Sequence, residues 1–177
     1  MGKKEKNKTM KRILLFTLTV LFFQACQSPT LEEKIQKQEQ QLKDQQDARA
    51  DTKAVNKLLD NYLVYAEENP ADSITPHYLF KAADLMMNTG KPAKAITQLD
   101  KIMNRYPDFE KASDALFLKG FILENHLGKL GRAKEVYELF LEKYPDHVFA
   151  DDVEVSLQNL GRTPEEMVRE FEKRKQE

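Results

Sequence analysis

The chain has 177 residues, with 28 Lys and Arg, 29 Asp and Glu, one Cys and six Gly. This length allows one domain or a short repeat array, since domains typically run about 100–200 residues. The single Cys excludes a disulfide framework and a Cys-based zinc site within one chain. Residues 1–25 carry six basic residues and one acidic residue, so the rest has 22 basic against 28 acidic residues. This acidic balance, without a basic patch, argues against nucleic acid as a partner.

A basic segment and a short apolar run open the chain. Basic residues up to Arg12 precede the apolar residues 13–23, which is the pattern of a secretory signal. A helix over this run would span roughly 16 Å, against a hydrocarbon core of about 30 Å, so the run is too short to cross a bilayer. The start is open between Met1 and Met10, because Lys11 and Arg12 alone would supply the basic segment.

The single Cys follows this run directly, in the sequence Phe23-Gln24-Ala25-Cys26. The segment resembles the lipobox of bacterial lipoproteins, whose signal peptide, here residues 1–25, is cleaved before an acylated Cys. The resemblance implies cleavage between Ala25 and Cys26, a covalent lipid on Cys26 and a membrane contact through acyl chains. Residue 27 is Gln and not the Asp that retains many such lipoproteins in the inner membrane. The implied location is therefore the periplasmic face of an outer membrane.

Residues 26–50 form a polar segment rich in Gln, Lys, Glu and Asp. Thr30 and Glu33 have the spacing of a capping box, which begins a helix. The apolar residues do not recur over the 3–4 heptads or so that a stable coiled coil needs. We therefore predict a helical or disordered tether that is exposed to solvent, with a weak oligomerisation helix as the alternative.

Residues 51–177 have the apolar period of helices, and no stretch alternates with period two for long enough to form a strand. Thr75 is predicted to cap a helix that has Pro76 at its first position. The segment Gly90-Lys91-Pro92 is predicted to end one helix and begin the next, and Thr163 with Glu166 forms a second capping box. This region is predicted to be an all-α domain.

An internal repeat organises this domain. The motif Tyr106-Pro107-Asp108 returns as Tyr144-Pro145-Asp146, and Ala95, Leu99 and Ile102 correspond to Ala133, Tyr137 and Phe140 at the same shift. Two repeats are predicted, at about residues 74–107 and 110–145, with one extra residue between the helices of the second. Pro70 indicates an earlier half-repeat. Because one helix pair cannot bury its apolar stripe, neighbouring pairs must stack.

Small residues begin each second helix (Ala95, Ala133), an apolar residue follows four positions later, and Pro follows twelve positions later (Pro107, Pro145). This pattern resembles the tetratricopeptide repeat (TPR). The resemblance implies a short α-solenoid of antiparallel helix pairs with flanking half-repeats. The Tyr-Pro-Asp-x-x-x-Ala spacing together with the Cys26 signal is similar to BamD-type lipoproteins of the outer-membrane barrel-assembly machinery. It is also similar to the periplasmic TPR protein of the Tol–Pal system.

These resemblances imply a non-catalytic adaptor that binds other envelope proteins, with outer-membrane protein assembly as the leading role. The alternatives are an envelope-organising protein of the Tol–Pal kind, and a lipid-anchored module that captures secreted or nutrient-related cargo. The sequence leaves the oligomeric state open. No nucleophile motif, phosphate-binding loop or His pair at metal-ligand spacing occurs, so we expect no catalytic residue, no metal and no cofactor beyond the lipid.

The TPR resemblance also implies a binding groove along the first helices of the repeats. One first helix would contribute His77, Phe80, Lys81 and Asp84, and the next Phe117, Phe121 and Asn125. Lys81 and Asp84 are expected to form a surface ion pair. Phe117 and Phe121 lie one turn apart and would form an apolar shelf for a partner helix. The other reading makes both residues part of the core, or covered by the N-terminal helix.

Overall fold

The computed structural model of the protein describes residues 28–44 and 52–174, and every regular element in these ranges is helical. None of these helices is long and apolar enough to cross a bilayer. Residues 1–27, with the predicted signal peptide and Cys26, lie outside the described ranges. The elements are α1 (Leu31–Asp44), α2 (Thr52–Glu68), α3 (Thr75–Asn88), α4 (Pro92–Arg105), α5 (Ala112–Phe121), a π-helical turn (Ile122–His126), α6 (Leu130–Lys143), α7 (Ala150–Asn159) and α8 (Pro164–Arg174).

Each helix from α1 to α6 packs against the next one along the chain. Connections within the repeats are short, so that consecutive helices run antiparallel. The pairs α3/α4 and α5/α6 are the two predicted repeats, and α2 and α7 flank them. The predicted fold, an all-α solenoid of antiparallel helix pairs, is confirmed.

The core repeats in the way that the sequence repeats. Ala95 and Ala133 are fully buried, and their small side chains let neighbouring helices approach closely. Large residues at equivalent positions of the two repeats are also fully buried. These are Leu99 with Tyr137, and Ile102 with Phe140. Burial of one such side chain contributes about 1.5–3 kcal/mol, so these crossings supply much of the stability of the array.

Several helix ends follow the predicted local signals. The Thr30 hydroxyl accepts from the Glu33 amide at 3.2 Å, and the Glu33 carboxylate accepts from the Thr30 amide at 2.8 Å. Thr163 and Glu166 form the same reciprocal pair at the start of α8. Gly90 has a φ of 73°, a left-handed conformation that ends α3 at little cost for glycine. Both predicted capping boxes are confirmed.

Thr75 was expected to cap α3, and this prediction is wrong. The cap residue is Ile74, and Thr75 is already the first residue of the helix. The Thr75 side chain is buried, and its hydroxyl donates to the Asn69 carbonyl at 2.6 Å. The preceding turn carries the local hydrogen bond instead, because the Asp72 carboxylate accepts from the Ile74 amide at 3.1 Å.

The extra residue of the second repeat lies inside a helix. The helix α3 has 14 residues, whereas α5 has 10 and continues into a π-helical turn of 5 residues. A π turn accommodates one additional residue without ending the helix. Ile122 and Leu123 in this turn are both fully buried, so the wider turn directs two consecutive apolar side chains into the core.

The helix α1 is packed on the array, so the described part of residues 26–50 is not a tether exposed to solvent. The side chain of Ile35, on α1, is fully buried in the core of the domain. The side-chain oxygen of Gln38 accepts a hydrogen bond from the Asn61 side-chain amide at 2.8 Å, which joins α1 to α2. The helix α1 therefore completes a helix pair with α2, which the sequence indicated only as a half-repeat.

Candidate functional site

A groove opens beside the first helices of the array. It has a volume of about 590 Å³ and lies between α1, α2, α3 and the start of α5. Of the predicted groove residues, Phe80, Lys81 and Asp84 line it together, one turn apart or less on α3. Its complete lining is Glu39, Leu42, Lys43, Leu58, Tyr62, Phe80, Lys81, Asp84, Leu85 and Lys111.

The floor of the groove is apolar and rigid. Leu58 and Tyr62 on α2 are buried, and Phe80 on α3 is half-buried beside them. The Tyr62 ring stacks on Tyr78 with 5.3 Å between ring centroids, and Tyr65 packs edge-on against Tyr78 at 4.9 Å. Such aromatic pairs add roughly 0.5–1.5 kcal/mol beyond their buried area. The floor is thus formed before any partner binds.

The rim of the groove is charged. The Glu39 carboxylate accepts from the Tyr62 hydroxyl at 2.6 Å and from the Lys81 ammonium at 2.8 Å. The Lys81 ammonium also lies 6.0 Å from the centroid of the Tyr62 ring, within cation–π range. The expected Lys81–Asp84 ion pair is therefore wrong, because Lys81 reaches across to α1. Asp84 instead accepts from the Asn88 side chain at 3.3 Å.

The tyrosines beneath the groove are held in their neutral form. Burial, followed by the hydrogen bond to Glu39, raises the pKa of Tyr62 far above its ordinary value. The hydrogen bond to the Asp72 carboxylate raises the pKa of Tyr65 to about 12, and burial raises the pKa of Tyr78 to about 12. The Ile74 amide, followed by Tyr65, lowers the pKa of Asp72. Tyr62 and Tyr65 therefore act as structural hydrogen-bond donors, and none of the three phenols is a base at neutral pH.

The other predicted groove residues lie elsewhere. His77 packs edge-on against Phe109 at 4.8 Å between ring centroids. Phe117 stacks on Phe149 at 4.6 Å, so the turn that follows α6 covers it. Phe121 is 37% exposed. Asn125 donates to the Phe121 carbonyl at 3.2 Å. None of the four lines the groove beside Phe80.

Sequence reasoning missed the α1 side of the groove and Lys111. The Glu39, Leu42 and Lys43 side chains reach the groove only because α1 docks on α2, and this long-range contact has no local signal. The Lys111 ammonium lies 5.9 Å from the centroid of the Phe80 ring. Lys111 lies directly before α5, at a position for which the repeat pattern predicts no function.

A cluster of Ser113, Asp114 and His147 has the composition of a hydrolytic triad but not its connections. The Ser113 hydroxyl lies 3.1 Å and the Asp114 carboxylate 3.4 Å from the same ring nitrogen, Nε2 of His147. The other nitrogen, Nδ1, accepts from the Phe149 amide at 3.3 Å. In a catalytic triad the carboxylate contacts the ring nitrogen opposite the one that faces the nucleophile. Here both groups face Nε2, so the cluster lacks triad geometry. It instead connects α5 to the turn after α6.

Acidic side chains do not converge on a cation site in the described ranges. No group of three or more His, Cys, Asp and Glu there is arranged to hold a metal ion. Asp151 and Asp152 lie in the first turn of α7, where the helix dipole favours negative charge.

The fold and the groove define an α-solenoid with a preformed surface for protein partners. Residues 78–108 and 114–147 match the family model of the tetratricopeptide repeat, which supports repeats of this type in these two segments. They overlap the repeats predicted at about 74–107 and 110–145. Arrays of this kind are typically non-catalytic scaffolds that bind other proteins on a concave surface. The comparisons with curated proteins and with solved structures give no match.

Proposed function

We propose that this protein is a lipoprotein of a bacterial outer membrane, anchored through acylated Cys26, whose repeats act as an adaptor for other envelope proteins in the periplasm. The groove beside Phe80, with its apolar floor and charged rim, is the observation that carries the adaptor function. The anchor rests on the sequence of residues 1–26. Outer-membrane protein assembly, the activity of the BamD-type proteins that the sequence resembles, is the role to test first.

The groove suits a partner helix with one apolar face. The apolar residues of this partner helix would contact Leu58, Phe80 and Leu85, as in other helix-in-groove complexes. The polar residues of the partner helix would contact Lys111 and Asp84, two exposed charges of opposite sign at the rim. Because the floor is already ordered by tyrosine packing, little conformational entropy is lost on binding.

The docking of α1 shortens the tether. With α1 beginning at Leu31, only residues 26–30 separate the lipidated position from the folded array. Fully extended, the chain from Cys26 to Leu31 reaches about 17 Å. The array is therefore held close to the bilayer, and we infer a partner that presents its binding segment near the membrane surface.

Replacement of the acylated residue tests the anchor. In Cys26→Ala, we expect no acyl labelling and release of the protein from the membrane fraction, because no thiol remains to be acylated. The replacement Ser28→Ala is the matched control and should leave labelling and fractionation as in the wild type. Acyl labelling or membrane association that persists in Cys26→Ala would contradict the anchor.

Affinity capture after cross-linking in intact cells tests the adaptor function. We expect the wild type to recover barrel-assembly components, and the double variant Asp84→Lys/Lys111→Glu to lose at least about tenfold of that recovery. Asp60→Lys/Lys94→Glu reverses two exposed charges outside the groove and should capture normally. Recovery of Tol–Pal or cell-wall proteins would support the envelope-organising alternative, and recovery of secreted cargo would support the capture alternative. Equal recovery by both double variants would contradict a role for the groove.

A further inference from the structure

Two pockets that are related by the repeat lie between the second helices of successive pairs. The first, of about 310 Å³, lies between α2 and α4, and the second, of about 480 Å³, lies between α4 and α6. Three lining residues of the first pocket correspond to lining residues of the second at the shift of 37 or 38 residues that relates the repeats. The corresponding residues are Pro70 with Pro107, Leu79 with Leu116, and Tyr106 with Tyr144.

Each pocket combines a buried leucine with a cation. Leu79 and Leu116 are only 3% and 4% exposed. Arg105 lines the first pocket from the last turn of α4, and Lys143 takes the equivalent place on α6. The Tyr106 hydroxyl donates to the Pro70 carbonyl at 2.8 Å, which fixes the aromatic wall of the first pocket. The first pocket is thus preformed.

The two pockets differ one turn earlier on the same helices. The first pocket has Lys101 there, whereas the second has Leu139, a leucine that is 37% exposed. The side chains of Lys101, Arg105 and Lys143 make no ion pair or hydrogen bond with any residue in the described part of the chain. Glu67 on the opposite wall leaves the first pocket with a net positive charge.

The second pocket holds one further cation. Lys119 lines it but is already paired with Asp100 at 2.7 Å. Lys143 is therefore the cation of this pocket that remains available to a ligand.

We propose that these two pockets together bind an extended acidic segment of a partner protein. A carboxylate would pair with Lys101 and Arg105 in the first pocket, since the arginine side chain suits bidentate pairing with carboxylates. An apolar side chain would pack on Leu139 in the second pocket, with a further carboxylate at Lys143. Alternate side chains of an extended segment lie on one side, as this arrangement requires. The inference is independent of the lipid anchor and of the groove.

A peptide titration of the full chain, purified in detergent, tests the proposal. The probe is a short fluorescent peptide in which Glu and Leu occupy the positions on one side, and a second peptide carries Lys for every Glu. We expect Lys101→Gln/Arg105→Gln/Lys143→Gln to bind the acidic peptide at least about tenfold more weakly than the wild type. Added salt should weaken wild-type binding, because exposed charges are screened.

Two further variants locate the binding. Lys57→Gln/Lys94→Gln/Lys129→Gln removes three exposed cations outside both pockets and should bind like the wild type. Asp84→Lys/Lys111→Glu alters the groove and should also bind like the wild type. Any of four results would overturn the proposal: no binding of the acidic peptide by the wild type, equal binding of the lysine peptide, unchanged binding by the pocket variant, or loss of binding in the groove variant.

Discussion

Gly120 and Tyr137 show how closely the helices of the second repeat approach each other. Gly120 is buried, and a Cβ atom built on it would overlap the ring of Tyr137. Tyr137 is fully buried, and its hydroxyl donates to the Glu124 carboxylate at 2.7 Å. Burial, followed by this hydrogen bond, raises the pKa of Tyr137 well above its ordinary value. The contact fixes where α6 crosses the end of α5.

Gly120→Ala should therefore destabilise the protein by roughly 1–3 kcal/mol, because the added methyl group displaces a buried aromatic ring. Gly131→Ala is the matched control, since a Cβ atom there meets nothing within 4 Å. This second change should stabilise α6 by about 0.5–1 kcal/mol. Urea denaturation measures both effects. A Gly120→Ala protein as stable as the wild type would show that this crossing is not tightly packed.

The tyrosines beneath the groove should make stability fall at alkaline pH. The fold disfavours ionised phenol, so the folded-state pKa of Tyr65 and of Tyr78, about 12, lies above the unfolded value near 10. Their contribution is complete below about pH 10 and is lost as the pH rises through about 12. Denaturation at a series of pH values should show this loss. Tyr65→Phe should reduce the slope, and a slope equal to that of the wild type would contradict the assignment.

Among the elements, α1 differs most from the sequence prediction. Its composition predicted a segment exposed to solvent, yet Ile35 is fully buried. The contacts that hold it are one fully buried side chain, the partly buried Leu31 and Leu42, and polar pairs to residues more than twenty positions away. No local pattern encodes such pairs. The two capping boxes, by contrast, depend on four consecutive residues and were predicted correctly.

The π turn, like the docking of α1, depends on tertiary contacts and was not predicted from the sequence. The sequence indicated that the second repeat has one extra residue, but length alone assigned it to the loop. The structure keeps it inside the helix because Ile122 and Leu123 are then both buried. Competition between loop and helix was decided by tertiary packing.

Truncation of Ile35 should release α1 while the repeats stay folded. Deletion of a buried isoleucine side chain typically costs about 2–5 kcal/mol, and Ile35 is the one fully buried residue of α1. Hydrogen exchange should then show that amides of Leu31–Asp44 lose at least about tenfold of their protection in Ile35→Ala. Lys37→Ala, at an exposed position of the same helix, should retain protection. Full protection of α1 in Ile35→Ala would contradict its docking.

At the scale of the molecule, one core joins α1 to α7. Buried residues from Ile35 to Val153 form a single cluster. The spacing of small and large residues was enough to predict this array, because each repeat places them at the same helix crossings. The groove was predicted only in part. Phe80, Lys81 and Asp84 share one helix face, whereas the opposite wall depends on how α1 docks.

Because the core is continuous, a charge placed in it should unfold the whole array. Ala133→Asp puts a carboxylate at a fully buried helix crossing, at a cost of several kcal/mol. We expect loss of the cooperative thermal transition, which circular dichroism measures. Ala93→Asp places the same charge at an exposed position in the first turn of α4 and should melt as the wild type does. A cooperative, unshifted transition in Ala133→Asp would contradict the repeat register.

We propose that a membrane-anchored array binds an envelope protein through the groove beside Phe80. Site-specific photo-cross-linking in intact cells tests it most directly, with a photoreactive residue at the position of Asp84 or, as the control, of Lys94. We predict an adduct with a periplasmic or outer-membrane protein from position 84 and none from position 94, and loss of that adduct in Cys26→Ala. The absence of an adduct at position 84, or the same adducts from both positions, would contradict the account.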